Sequence, residues 1–201
     1  MKWIAPSLAY LAVYLGLFHF HSAWSALLGF HVAILGSLLI ARPKIPVAVL
    51  FTSANSKWIL VSVLLGASSG AGVFLFWKYF GIANNLPAQL ESLGLNRATW
   101  LPFIVYFALV NPFVEEYFWR GYLGNASRGI RWNDLLYAGF HALILYGRVH
   151  PLATVVAVVI LTIAGWFWRQ LKRKNGGLLA PVLGHMAADL TILLAIWAKT
   201  V

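Results

Sequence analysis

Inside an apolar run, the stretch "NPFVEEYFWRGYLGN" (residues 111–125) sets two adjacent glutamates, Glu115 and Glu116, close to Arg120. On a helix Glu116 and Arg120 are four apart on one face, with the carboxylate N-terminal to the cation, which is the favourable order. Glu115 points about 100° away and has no cation at 111, 112, 118 or 119, so its partner must come from another segment. Two histidines within later apolar stretches are available, His141 and His185, and Asp189 follows His185 at i+4 on the same face. Counted inwards from the span ends, Glu115, His141 and His185 each come out roughly 10 to 12 Å deep. A carboxylate, two imidazoles and a further carboxyl at one level make a hydrolytic kit. Glu115 would take a proton from water, one histidine would help polarise that water, and the other with Asp189 would stabilise an oxyanion. The same four groups, Glu115, His141, His185 and Asp189, could instead hold a divalent metal such as zinc, although the helical His-Glu-x-x-His signature is missing. The residues alone leave both options open.

These groups stand in a chain that is 61% hydrophobic and 10% charged, where an ordinary soluble domain carries about a quarter charged residues. That is a membrane composition, and ten Trp, eight Tyr and thirteen Phe agree with it, since amphipathic aromatics gather at bilayer interfaces. A carboxylate at mid-membrane costs about 2.5 to 3.5 kcal/mol on insertion scales. Glu115, Glu116 and Asp189 inside apolar spans therefore call for partners or a function. The absence of cysteine excludes disulfides, thiolate metal sites and a cysteine nucleophile. The net charge of +10 is spread over short loops and helix ends, which reads as topology signal and affinity for anionic lipid; nucleic acid is not an expected partner.

A membrane crossing takes about 20 apolar residues as a helix. The candidates are 4–20, 22–41, 58–80, 100–123, 133–147, 151–168 and 178–197, the fifth being short and interrupted by a histidine. The opening run has one lysine before an apolar stretch but no small-residue cleavage site after it, so a retained first helix is expected. The segment "LPAQLESLGL" is expected to lie at the interface as a short helix. With the N-terminus inside, the cytoplasmic side receives Lys2, Arg42, Lys44, Lys57, Arg128, Arg131, Arg169, Lys172, Arg173 and Lys174, and the outer side only Lys78, Arg97, Arg148 and Lys199. The expectation is an all-α, polytopic transmembrane bundle of about seven spans, N-terminus inside, forming a single domain over residues 1–201.

Three motifs on three spans carry a family resemblance. "EEYFWR" (Glu115 to Arg120), "YAGFH" (Tyr137 to His141) and "HMAAD" (His185 to Asp189) resemble the Glu-Glu-x-x-x-Arg, Phe-x-x-x-His and His-x-x-x-Asn/Asp motifs of the CPBP intramembrane proteases. That group includes the type II CAAX prenyl endopeptidases, the Abi-type bacterial immunity proteins and glutamic proteases that trim C-terminal sorting helices. The resemblance covers residues 100–197. It implies an integral protein of a bacterial cytoplasmic membrane that cleaves a membrane-tethered protein or peptide near the cytoplasmic face. Glu115 would activate water with His141, His185 and residue 189 would form the oxyanion site, and Glu116 and Arg120 would support them. Tyr137 stands where the pattern prefers Phe, which would bring a hydroxyl to the site. Asp189 stands where archaeal and eukaryotic prenyl endopeptidases have Asn; an ionised Asp is a poor oxyanion donor and would have to be protonated, orient His185 or bind metal. Two rivals are a non-catalytic immunity or scaffold protein of the same fold and a proton transporter, the latter disfavoured by the single site level and the lack of inverted repeats.

The remaining polar features have plainer readings. "GASSG" (Gly66 to Gly70) fits Gly-x-Ser-x-Gly, but no strand-to-helix turn surrounds it, and small-x-x-x-small spacing points to helix packing. His19, His21 and His31 are expected at the interface, and Arg148 with His150 in an outer turn before Pro151. "RQLKRK" (residues 169–174) is expected to be a cytoplasmic stop-transfer anchor, and Asn111 with Pro112 to loosen the fourth span.

Overall fold

The computed structural model of the protein describes residues 4–53 and 55–201; Lys2 lies outside them. Among the described residues every regular element is helical. In chain order they are α1 (Ile4–Tyr14), which continues as a wider π-type turn over Leu15–His19, α2 (Ala23–Ala41), α3 (Ser56–Leu75), α4 (Leu86–Ser92), α5 (Trp100–Glu115), which widens into a π-helical segment over Glu116–Tyr122, α6 (Trp132–Gly139), α7 (His141–Leu145), α8 (Pro151–Asn175) and α9 (Leu179–Thr200). Single 3-10 turns at Val47–Phe51 and Trp77–Phe80 flank α3.

Local chemistry starts and stops these helices. Ser22 Oγ accepts the Ser25 amide at 3.1 Å to open α2, and Asn55 Oδ1 accepts the Lys57 amide at 2.9 Å to open α3. The His150 ring accepts the Leu152 amide at 3.2 Å, with Pro151 in the first position of α8, where its missing N–H costs nothing. Arg42 (φ 44°) and Gly176 (φ 70°) close α2 and α8 in the left-handed conformation.

Among the described residues four helices, α2, α3, α8 and α9, of 19, 20, 25 and 22 residues, are long and apolar enough to cross a membrane. Their outward faces are bare hydrocarbon: Leu60 and Leu64 on α3 and Val155 and Ile160 on α8 are all exposed. Such faces suit lipid, since a water-soluble monomer does not leave an apolar belt of this extent uncovered. The short helix expected in "LPAQLESLGL" forms over Leu86–Ser92 as α4. The expected fifth span is divided at Phe140 into α6 and α7, neither long enough to cross alone.

Hydrogen bonds between connections sort the helix ends into two levels. At one, Leu178 N–H donates to the Val49 carbonyl (2.8 Å), Tyr117 Oη to the Ile45 carbonyl (2.6 Å) and Lys172 Nζ to the Arg120 carbonyl (2.6 Å). At the other, His150 N–H donates to Phe80 (3.1 Å), Ala83 N–H to Arg148 (2.9 Å) and Ala23 N–H to Leu93 (2.9 Å). The α6–α7 segment begins at the first level and ends at the second. Helices α3 and α9 run parallel in close contact, because Gly66 lies against the backbone of Gly184 and Gly70 against Thr191; a Cβ at either glycine would run into those atoms. The small-residue reading of "GASSG" accounts for this approach.

The basic run after α8's apolar stretch does more than face solvent. Arg169 is buried, and all five of its N–H groups are used: Nε and one Nη2 hydrogen on the two Asp134 oxygens (2.9 and 2.6 Å), Nη2 also on the Gly129 carbonyl (2.7 Å), and Nη1 on Asn125 Oδ1 (3.2 Å) and the Ser127 carbonyl (2.6 Å). This forked pair ties α8 to the start of α6 and to the loop before it. Asp134 also accepts the Arg131 amide at 2.9 Å, capping α6. Within "RQLKRK" Arg169 is thus held inside the protein, while Arg173 and Lys174 are exposed.

Candidate active site

The α5 helix passes through Pro112 unbroken and widens only at Glu116–Tyr122. The expected loosening thus falls a turn later than Pro112, in a π segment of the kind that recurs at functional sites. Across this change of pitch Glu115 and Glu116 are both buried, with 2% and 0% exposure, as are Arg120 (1%) and His185 (3%). A single α-helical turn in lipid would spread such neighbours around the helix; here α9, α6 and α2 close over them.

Glu116 is the hub of one half of the site. Its Oε1 lies 3.0 Å from Arg120 Nη1 and 2.9 Å from His185 Nδ1. The expected i,i+4 pair exists, and the same carboxylate also holds the histidine. The Arg120 guanidinium carbon lies over the Tyr137 ring, 3.7 Å from its centroid, and Gly165 on α8 leaves room for both side chains. On its other side His185 stacks on Trp168 at 4.9 Å and 19°. With its ring clamped by stacking and its Nδ1 by Glu116, His185 has one nitrogen left, Nε2. That atom is 3.5 Å from Asp189 Oδ1, too long for a good hydrogen bond.

Asn111 is the hub of the other half. Its Nδ2 donates to Glu115 Oε1 at 2.9 Å and to Asp189 Oδ2 at 3.2 Å, so one amide bridges two carboxyls from different helices. The other Glu115 oxygen, Oε2, is buried with no hydrogen-bond partner. Glu115 has His185, Asp189 and Arg120 within electrostatic range. Three carboxyls thus face one guanidinium and one imidazole; the cluster is neutral when the imidazole is cationic and one carboxyl carries a proton.

His141 begins α7 directly after the break at Phe140 and is half-buried. Its Nδ1 sits 3.2 Å from the Tyr137 carbonyl, and its ring stacks on Phe140 at 4.1 Å. The Tyr137 ring meets both His141 (5.6 Å) and His185 (6.0 Å) edge to face. The structure therefore joins Glu115 to Asp189 through Asn111, and His185 to Glu116 directly, while among the described residues no hydrogen bond links His141 to a carboxylate. The donor Nδ1–H on a backbone carbonyl leaves Nε2 as the basic nitrogen of His141.

A metal would need ligands that converge. Among the described residues no three His, Asp or Glu side chains come together closely enough to hold one. Glu116 and Asp189 instead flank a single imidazole, and Glu115 is drawn to Asn111.

Residues 97–191 match the family model of the type II CAAX prenyl endopeptidases, Rce1-like. This segment is similar to a type II CAAX prenyl endopeptidase domain. Comparison with curated proteins gave no match, and comparison with solved structures gave none. The family is one of intramembrane proteases, and the matched segment contains every motif residue from Glu115 to Asp189, which supports a protease integral to a membrane.

Two site residues escaped the sequence reading. His31, expected at the interface, is buried on α2, with Nε2 3.0 Å from Asn111 Oδ1 and Nδ1 3.1 Å from the Tyr106 hydroxyl. Asn111, read only as a helix loosener, bonds two carboxyls. The available signal was spacing: Asn111 and Glu115 are i,i+4, as Glu116 and Arg120 are.

Proposed function

We propose that the protein is an intramembrane endopeptidase that hydrolyses a peptide bond of a membrane-tethered protein or peptide near the cytoplasmic face, with Glu115 as general base. The observation that carries this reading is the Glu115 carboxyl: its Oε1 is held by the neutral Asn111 amide, its Oε2 is buried without a partner, and, unlike Glu116, whose Oε2 is likewise unpartnered, it is not paired with Arg120 or His185. A buried acceptor of that kind costs stability unless it meets a polar group in use. A water molecule on Oε2 gives up a proton to Glu115 as its oxygen attacks the substrate carbonyl carbon. His141, with Nε2 as its basic nitrogen, orients that water. The negative charge that develops on the carbonyl oxygen is met by His185 Nε2–H, whose loose approach to Asp189 leaves it free to donate. Glu115 then passes its proton to the departing amine, and the peptide C–N bond breaks. Asp189 serves by orienting His185, which removes the difficulty of an Asp in an oxyanion site. Glu116, Arg120 and Tyr137 hold His185 in place.

The chain crosses the bilayer seven times, N-terminus inside. Parallel α3 and α9 require an odd number of crossings between them, namely α5, the α6–α7 segment and α8. Arg42, Lys44, Lys57, Arg128, Arg131, Lys172, Arg173 and Lys174 then gather on the cytoplasmic side of a bacterial membrane. No metal enters this scheme.

The test is cleavage of lipid-anchored reporter peptides, prenylated CAAX tails and unprenylated hydrophobic tails in parallel, by the purified protein in nanodiscs, read by mass spectrometry. Glu115→Gln is expected to lower the rate at least about a hundredfold, as loss of a general base does. A Glu115→Gln protein that cleaves at the wild-type rate would overturn the proposal.

A further inference from the structure

The family-matched segment starts at residue 97, but the hydrogen bonds of the site continue beyond it into α2. The Asn111 amide can point only one way. Both hydrogens of Nδ2 face carboxyl oxygens, Glu115 Oε1 and Asp189 Oδ2, and a reversed amide would set its oxygen against both acceptors. Oδ1 therefore faces His31, so the His31 Nε2–H must donate across the 3.0 Å contact. Its Nδ1 is then an acceptor, and the Tyr106 hydroxyl donates to it at 3.1 Å. In this directed series, Tyr106 to His31 to Asn111 to the two carboxyls, both ring nitrogens of His31 and the whole Asn111 amide are satisfied with His31 neutral. Asn111 and His31 are 1% and 3% exposed, so water is not there to replace a lost bond.

We propose that Asn111 is a positioning residue for the reaction, and that His31, on a helix outside the family-matched segment, locks its amide in the orientation that serves both Glu115 and Asp189. The proposal rests on the protease reading above. One amide bridges two carboxyls that would otherwise repel, holding Glu115 Oε1 so that Oε2 is the oxygen left for water, and holding Asp189 beside His185. The N-terminal helices thereby contribute to the site and do more than enclose it.

Two measurements test this, and they fail separately. In the cleavage assay, Asn111→Ala and His31→Leu are each expected to lower kcat at least about tenfold with KM within about twofold. His31→Gln, whose amide N–H can still reach Asn111 Oδ1, is expected to recover most of the loss. Tyr106→Phe, which removes one hydroxyl, is expected to fall between the two and serves if Asn111→Ala does not fold. In histidine-¹⁵N-labelled protein in lipid, His31 is expected as the neutral tautomer protonated at Nε2, and Tyr106→Phe is expected to shift its Nδ1 resonance. A wild-type kcat in His31→Leu, or His31→Gln no better than His31→Leu, overturns the positioning role. A His31 protonated at Nδ1 in the wild type overturns the hydrogen-bond series even if cleavage proceeds. The Nε2–H tautomer in a protein that cleaves none of the reporters counts against the protease reading and leaves the series standing.

Discussion

At the scale of single residues, the two adjacent glutamates have separate duties because they meet different partners. Glu116 neutralises Arg120 and fixes His185, so it belongs to the scaffold of the site. Removing one member of a buried ion pair leaves the other uncompensated, at a cost of about 3 to 5 kcal/mol. Arg120→Ala should accordingly lower the unfolding midpoint strongly in a detergent melt, and Arg120→Met should do the same despite its similar length. Glu115 behaves otherwise. In Glu115→Gln the side-chain carbonyl can still accept from Asn111, so folding stability is expected to stay within about 1 kcal/mol of wild type while cleavage is lost. Comparable losses of stability in Glu115→Gln and Arg120→Ala would show that Glu115 is structural. The expectation that Glu115 finds its partner on another segment fails, while the pairing of 116 with 120 was legible from spacing. That the partner is an asparagine one turn back was not, because a neutral amide in an apolar run draws no electrostatic attention.

At the scale of elements, two contacts hold the site's helices at their distances. The first is the glycine seam between α3 and α9. Gly66→Val would drive a branched side chain into the Gly184 backbone, and overpacking of this kind costs about 1 to 3 kcal/mol. Because α9 carries both His185 and Asp189, the same change is expected to reduce cleavage out of proportion to its effect on the melt. A Gly36→Val control, at a position where a Cβ meets nothing within 4 Å, should leave both unchanged. The second contact is the fork of Arg169 on Asp134, which anchors the short α6–α7 segment. Arg169→Lys keeps the charge but cannot span both oxygens and three further acceptors, so a clear destabilisation is expected, seen as a lower melting midpoint and faster proteolysis in the 123–131 loop. A melt unchanged by Arg169→Lys would mean that the fork holds little. Periodicity located the glycine seam, but it could not pair Arg169 with Asp134, 35 residues apart, since nothing local links them.

At the scale of the molecule, the pattern of contacts constrains the topology. The chain has no cysteine, so single cysteines introduced at exposed sites report sidedness without background. Lys174→Cys is expected to react with an impermeant maleimide only in inside-out vesicles, and Lys199→Cys only in right-side-out ones. Labelling of both from the same face would show that α6–α7 fails to cross, and the seven-crossing arrangement would fall. Among the described residues four helices have the length and hydropathy to cross independently; α6 and α7 do not, and they depend on α8 and on the Arg169 fork for their place. A membrane protein can afford such a segment only where its polar backbone is surrounded by protein.

The amino-acid sequence by itself determined the membrane setting, the helical class and the three motif groups, because hydrocarbon solvent admits long apolar helices and makes every buried charge conspicuous. It placed Glu115, His185 and Asp189 on helices within the segment that matches the family model of the type II CAAX prenyl endopeptidases. Only the tertiary structure decided how they connect: Asn111 between Glu115 and Asp189, Glu116 between Arg120 and His185, and His31 brought in from α2. Those links are hydrogen bonds between residues as much as 80 positions apart, and their geometry depends on helix rotation and depth, which packing settles and local periodicity does not.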